Sequence, residues 1–212
     1  MTKKTFWKDP YQTHLETQVT SVNDEVITLK ETIFYALSGG QESDSGLIGK
    51  FTVIEARKNG KEIFYSLPEN HNLAIGDSVT VEIDWNRRYK LMRLHFAAEV
   101  VLELIYRQLI GIKKVGAHIS AEKARIDFEW AESISWLLPE IKKEAQGIIN
   151  ANLNIISEFS DEEAERRYWE VEGFATVPCG GTHLKQTSEV GEIKLKRKNI
   201  GKGKERVEIV LL

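Results

Sequence analysis

"YKLMRLHFAAEVVLELIYRQLIG", residues 89–111, marks the point where the chain changes texture. Leu91, Leu94, Ala98, Val101, Leu102, Ile105 and Leu109 recur at helical spacing, which predicts a long helix with one apolar face, and Gly111 supplies its C-terminal stop. The residues before it read as strands. "TQVTSV" (17–22), "EVITLK" (25–30), "KFTVIEARK" (50–58), "KEIFYSL" (61–67) and "DSVTVEIDW" (77–85) are short, alternating and rich in β-branched and aromatic residues. Between two of them, Asn59-Gly60 predicts a type I′ hairpin turn. Strands this short at roughly regular spacing predict a small antiparallel barrel-like domain over residues 1–88. After the helix, "ARIDFEW" (124–130) reads as a strand, and "LPEIKKEAQGIINANLNI" (138–155) as a second helix with Pro139 in its first turn. "SDEEAERRYWE" (160–170) carries the capping-box pattern of a helix start in Ser160 and Glu163. The tail "GEIKLKRKNIGKGKERVEIVLL" (191–212) reads as two strands around a Gly- and Lys-rich turn. The expected fold class is α+β: a β domain over 1–88, then an α+β domain over 89–212.

A chain of 212 residues is long enough for two such cores. Hydrophobic content of 42% beside 29% charged residues is that of a soluble globular protein. Apolar runs such as "AAEVVLELI" are too short and too charged to span a bilayer, and the N-terminus has no apolar segment of a secretory signal. A net charge of −3 excludes a uniformly basic nucleic-acid binder while leaving room for a local basic patch. The single cysteine excludes an internal disulfide framework, so the expected compartment is the reducing cytoplasm.

That lone Cys179 stands in "VPCGGTHLKQ" (177–186), four positions before His183, with Gly180 and Gly181 free to turn the backbone so that thiolate and imidazole converge. On the long helix, His95 and Glu99 sit about 40° apart on the wheel, at the border of the apolar face. An i, i+4 pair can chelate one ion from a helix, or simply hydrogen-bond at its surface. Together the two pairs supply one thiolate, two imidazoles and a carboxylate, a donor set that suits Zn2+ better than magnesium or calcium. A third feature, "TIFYALSGGQESDSG" (32–46), breaks the strand pattern with a glycine-rich loop. Such a loop admits a ligand close to the backbone, or is only a long hairpin connection.

These three blocks, in this order, resemble the trans-editing AlaX proteins and the editing region of alanyl-tRNA synthetase. The family pattern of a Gly-Gly-Gln loop, H-x-x-x-H on a helix and C-G-G-T-H stands here as "TIFYALSGGQESDSG", "HFAAE" and "CGGTH". "GAHISAEKARIDF" (116–128) is similar to the family segment between the two metal motifs, and the resemblance covers nearly the whole chain. It implies a free-standing, zinc-dependent deacylase that removes a wrong amino acid, chiefly serine, from alanine's tRNA. One departure is plain: Glu99 stands where the family has its second helix histidine. The implied metal set is then His95, Glu99, Cys179 and His183. The implied substrate contacts are Gly39, Gly40, Gln41 and Asp44 in the loop, with His118 and Asp127 in the following segment.

Editing is needed because a pocket for alanine rejects one added hydroxyl poorly. Holding the acceptor end of the tRNA needs positive charge. Lys194, Lys196 and Lys198 share one face of the first tail strand, Lys202 and Lys204 follow in its turn, and Arg87, Arg88 and Arg93 cluster at the start of the long helix. Two other readings fit the same residues: a non-catalytic RNA-binding module stapled by zinc, and a deacylase for a different mischarged tRNA.

Overall fold

Strand pairing explains why the first half of the chain needs so many short strands. The computed structural model describes residues 1–212 and divides them into two units, residues 1–38 with 42–89, and residues 39–41 with 90–212. The first unit holds β1 (Lys3–Lys4), β2 (His14–Asn23), β3 (Val26–Leu29), β4 (Glu31–Thr32), β5 (Gly46–Ile48), β6 (Phe51–Thr52), β7 (Glu55–Asn59), β8 (Glu62–Ser66) and β9 (Ser78–Ile83). Seven of these form one antiparallel sheet in the order β6-β5-β9-β2-β3-β8-β7. The long β2 joins its two halves: residues 14–18 pair with β9 and residues 19–23 with β3, with a bulge between Val19 and Ser21. A bulge bends and twists a strand, so the sheet curls around Ile27, Leu29, Phe34, Ile48, Ile63, Tyr65 and Val81. β6 and β7 do not pair, which makes this an open half-barrel rather than a closed barrel. The β7–β8 turn also departs from the sequence reading. Asn59 pairs with Glu62, so Gly60 and Lys61 are the turn's centre, and only Gly60 (φ 58°) is left-handed, the type II′ pattern.

Helix α1 (Trp85–Gln108) starts four residues before the stretch that the sequence marks as helical, because the Asp84 carboxylate accepts the Arg87 amide at 3.1 Å and caps it. It is buried nearly all round: Met92, Phe96, Ala97, Val100 and Leu104 are covered as fully as the predicted face. Apolar residues buried beyond a single stripe mark a helix of the interior, not one lying on the surface.

The second unit continues with β10 (Lys113–Ile119), β11 (Ala124–Glu129), α2 (Leu138–Asn150), β12 (Ile156–Asp161), β13 (Arg166–Val171), β14 (Ala175–Pro178), β15 (Ile193–Gly201) and β16 (Lys204–Leu211). These strands make a four-stranded antiparallel sheet, β10-β11-β16-β15, and a three-stranded one, β12-β13-β14. The capping-box pattern at Ser160 does not start a helix. The Asp161 carboxylate accepts the Ala164 amide at 2.8 Å, Glu165 turns through φ 55°, and the chain returns as β13. Arg167, Trp169 and Val171 are buried while their neighbours are not, and that period of two outweighs a local cap. With long helices, two sheets and a half-barrel, the fold is α+β. No helix is long and apolar enough to cross a membrane.

Candidate metal centre

α1 presents His95 and Glu99 one turn apart, and the segment after β14 brings Cys179 and His183 to the same place. His95 Nε2 lies 3.5 Å from Cys179 Sγ and 3.4 Å from Glu99 Oε1, while His183 Nε2 lies 3.3 Å from Glu99 Oε2. All four donor atoms fall within 4.8 Å of one another. In a tetrahedral zinc site, bonds of about 2.0–2.3 Å put neighbouring ligand atoms about 3.3–3.6 Å apart. Glu99 Oε2 and His183 Nε2 are buried yet make no hydrogen bond, although they are close. An unsatisfied buried polar atom costs about 1–3 kcal/mol, and here two of them face each other across the cluster. The residues present fit a bound cation.

The local folding that builds this cluster differs from the sequence reading at the glycines. Gly180 has open space around it, and neither Gly180 nor Gly181 is left-handed. Gly181 is needed for close approach: a Cβ there would lie 2.0 Å from His95 Cε1, inside the imidazole ring's own contact distance. Cys179 extends the β13–β14 pairing through its amide, which donates to the Arg167 carbonyl at 2.9 Å. Gln41 is buried beside it. Its Nε2 donates to Thr182 Oγ1 at 3.0 Å and its Oε1 accepts the Thr182 amide at 3.4 Å. The loop approaches β10 just as closely, since the Ile119 amide donates to the Gly40 carbonyl at 2.8 Å and a Cβ on Gly40 (φ 90°) would lie 2.7 Å from the Ala117 carbonyl oxygen.

Three supporting residues were not foreseen. Ser157 Oγ meets His183 Nδ1 at 3.1 Å; when Nδ1 carries the proton, Nε2 turns its lone pair toward the cluster. Arg167, buried under the Phe159 ring, donates to the Ser157 carbonyl at 3.0 Å and to the Gly181 carbonyl at 3.4 Å. Thr182 was in plain view inside "CGGTH", but nothing marked it as the partner of Gln41.

Electrostatics sorts the four donors into opposite charges. Burial opposes the charged form of each, but the partners win. Burial would discharge His95, yet the Glu99 carboxylate and Cys179 raise its pKa well above the ordinary imidazole value; His183 is raised against burial by Cys179 and Glu99. Glu99 is held far below the carboxylate range against its burial, chiefly by His95. Burial and Glu99 push the Cys179 thiol up, but His95 and His183 bring it below its usual value. The cluster therefore favours a thiolate and a carboxylate, the forms a metal binds, and two imidazoliums that must release their protons on a metal's arrival.

The remaining expected residues divide. Asp44 does not line this cluster: it is fully buried in the first unit, where both its oxygens receive the Arg88 guanidinium, and its Oδ2 accepts the Tyr35 amide at 2.6 Å. Arg88 also donates to the Ile33 and Pro10 carbonyls at 2.7 and 2.9 Å, so it has no access to a nucleic acid; both expectations give way to a buried ion pair. Arg87 is engaged by Glu42 at 2.6 Å, and Arg93 holds the Val190 carbonyl at 2.8 Å. Asp127 is held by Arg206, at 2.6 and 2.9 Å. His118 is half-buried on β10 and Gly39 is exposed. Lys194, Lys196, Lys198, Lys202 and Lys204 are all exposed on β15, its turn and the first residue of β16.

Comparison with known proteins agrees across the whole length. Residues 168–208 match the family described as the threonyl and alanyl tRNA synthetase second additional domain, and residues 2–87 match class II (A) tRNA synthetases. The chain is 34% identical to the alanyl-tRNA editing protein AlaX-M of Pyrococcus horikoshii, covering 100% of this chain and 98% of that protein. It is 34% identical to AlaX-M of Saccharolobus solfataricus over 98% of each. It is also 33% identical to the alanine–tRNA ligase of Methanococcus maripaludis, over 98% of this chain but 26% of the ligase.

Proposed function

The chain belongs to the AlaX family of alanyl-tRNA editing proteins, and from that premise we propose that it is a trans-editing deacylase. It hydrolyses the ester that joins a wrong amino acid, chiefly serine, to the acceptor end of alanine's tRNA, and it works in the cytoplasm. The observation that carries this reading beyond family membership is the convergence of His95, Glu99, Cys179 and His183, with two orphaned buried donor atoms facing each other.

These four residues would hold Zn2+, whose tetrahedral preference and tolerance of mixed N, O and S donors match the set. Bound there, zinc would supply Lewis-acid polarisation of the ester or a water of lowered pKa. The protein's own contributions are positional. Ser157 and Arg167 orient His183, Gly181 lets the Cys179–His183 segment lie against His95, and β10 with His118 offers polar contact to the aminoacyl group. The exposed lysines of β15 and its turn supply charge for the tRNA backbone.

Four protein donors would close a tetrahedral shell, and that observation favours a second reading in which zinc only staples an RNA-binding unit. One assay separates the two. Seryl-, glycyl- and alanyl-tRNA(Ala) are offered to the protein before and after chelation and to Cys179→Ala. Release of serine faster than alanine, lost on chelation and at least ~100-fold reduced in the variant, is the expected result, since even an outer partner of a metal ligand is worth about 10–100-fold. Undiminished activity after metal removal would sink the metal part.

A further inference from the structure

His183 has an outer partner in Ser157, but His95 Nδ1 is buried with no hydrogen bond at all. A histidine that ligates a metal through Nε2 almost always donates its Nδ1–H to an oxygen, which fixes the ring and keeps the ligating nitrogen basic. The position a Cβ on Gly181 would take lies 2.6 Å from His95 Nδ1 and 2.9 Å from Gln41 Oε1, so both atoms border the space that glycine leaves. Gln41 is 1% exposed and held on two sides. Its Nε2 donates to Thr182 Oγ1 at 3.0 Å and its Oε1 accepts the Thr182 amide at a long 3.4 Å, which leaves that oxygen a second acceptor position. Its backbone is fixed too, bridged to Ile119 of β10.

We propose that Gln41 is a positioning residue for the metal centre: its amide oxygen receives the His95 Nδ1–H across the gap at Gly181, directly or through one water. The Gly-Gly-Gln loop thus acts on the ligand shell rather than on the substrate. Glycine at 181 serves both residues, because a Cβ there would lie 2.6 Å from His95 Nδ1 and 2.9 Å from Gln41 Oε1 and crowd each. The inference rests on the metal reading above and adds a residue to it.

The test uses the full chain and zinc alone. Zinc affinity, measured by competition with a chromophoric chelator, should fall about 10–100-fold in Gln41→Leu. Gln41→Glu keeps an acceptor at the same reach and should stay near wild type. In zinc-loaded protein with labelled histidine, the His95 Nδ1–H resonance should shift or vanish in Gln41→Leu, while that of His183 stays. Thr182→Val removes the Nε2 partner but leaves Oε1, and should leave the His95 resonance in place. Unchanged zinc affinity and an unmoved His95 resonance in Gln41→Leu would overturn the inference and leave the metal reading intact. A glutamate variant as weak as the leucine one would also overturn it, since the acceptor would then not be what matters. If the wild type takes up no zinc, the metal reading falls and this inference falls with it.

Discussion

Two buried charge clusters of similar make-up behave differently. In the first unit, Asp44 and Arg88 are fully covered, yet both carboxylate oxygens and the guanidinium are matched, with the Tyr35 amide and the Ile33 and Pro10 carbonyls completing the set. In the second unit, the ligand atoms of His95, Glu99, Cys179 and His183 are drawn within 4.8 Å of one another, yet three polar atoms of these residues find no partner. A satisfied cluster is complete as it stands and serves the fold. An unsatisfied one is arranged for something else, and a cation is what its donors have in common. Only the second cluster offers open donors that could hold a metal ion.

The largest expected effect lies at the satisfied cluster. Asp44→Ala strands a guanidinium that is 0% exposed, and removal of one partner of a buried pair costs about 3–5 kcal/mol. Urea unfolding should show that loss, whereas the double change Asp44→Leu with Arg88→Met should cost less than the single one. Metal affinity measured on whatever fraction stays folded should be unaltered. A lost metal site in folded Asp44→Ala would mean that the pair serves the site after all.

The unsatisfied cluster is probed at Glu99. Removing its carboxylate deletes a group that reaches both imidazoles, at 3.4 and 3.3 Å. Glu99→Ala should bind zinc more than ~10-fold less tightly, and Glu99→His should recover most of the loss because imidazole and carboxylate ligate at about the same distance. Thermal stability of the metal-free protein should fall at neutral pH in the alanine variant, since the carboxylate that His95 holds ionised, and that faces His183, is gone. Unchanged zinc content in Glu99→Ala would remove it from the ligand set and leave a three-residue site.

Why one cluster was legible in the sequence and the other was not follows from separation along the chain. His95 and Glu99 share a helix face at a spacing any wheel displays, and Cys179 with His183 is a four-residue interval around the chain's only cysteine. The half-barrel strands, α2 and the tail hairpin were also visible as periodicity. Asp44 and Arg88 lie 44 residues apart with no local signal, so each reads as a surface charge beside a loop or helix. Ser157 and Arg167 reach the centre through the antiparallel register of β12 and β13, in which Phe159 faces Arg167. That register was hidden because Ser160 and Glu163 imitate a helix cap. Gly181 was read as a turn glycine, and only the position of the His95 ring reveals that it is a glycine of close approach.

At the surface the same contrast, matched against unmatched charge, has its smallest expected effect. On β15, Arg197 points to the side where Glu205 receives it bidentately, at 2.6 Å for each bond, while Lys194, Lys196 and Lys198 alternate onto the exposed side. Replacing those three lysines by glutamine should leave folding and zinc affinity unchanged. It should lower the slope of log affinity for tRNA against log salt by about 2, since each phosphate contact contributes about 0.7–0.9. Arg197→Gln should do the reverse: a small loss of stability as Glu205, 2% exposed, is left unpaired, with the salt slope unmoved. If Arg197 rather than the lysine face sets the salt dependence, the RNA lies on the opposite side of the tail hairpin.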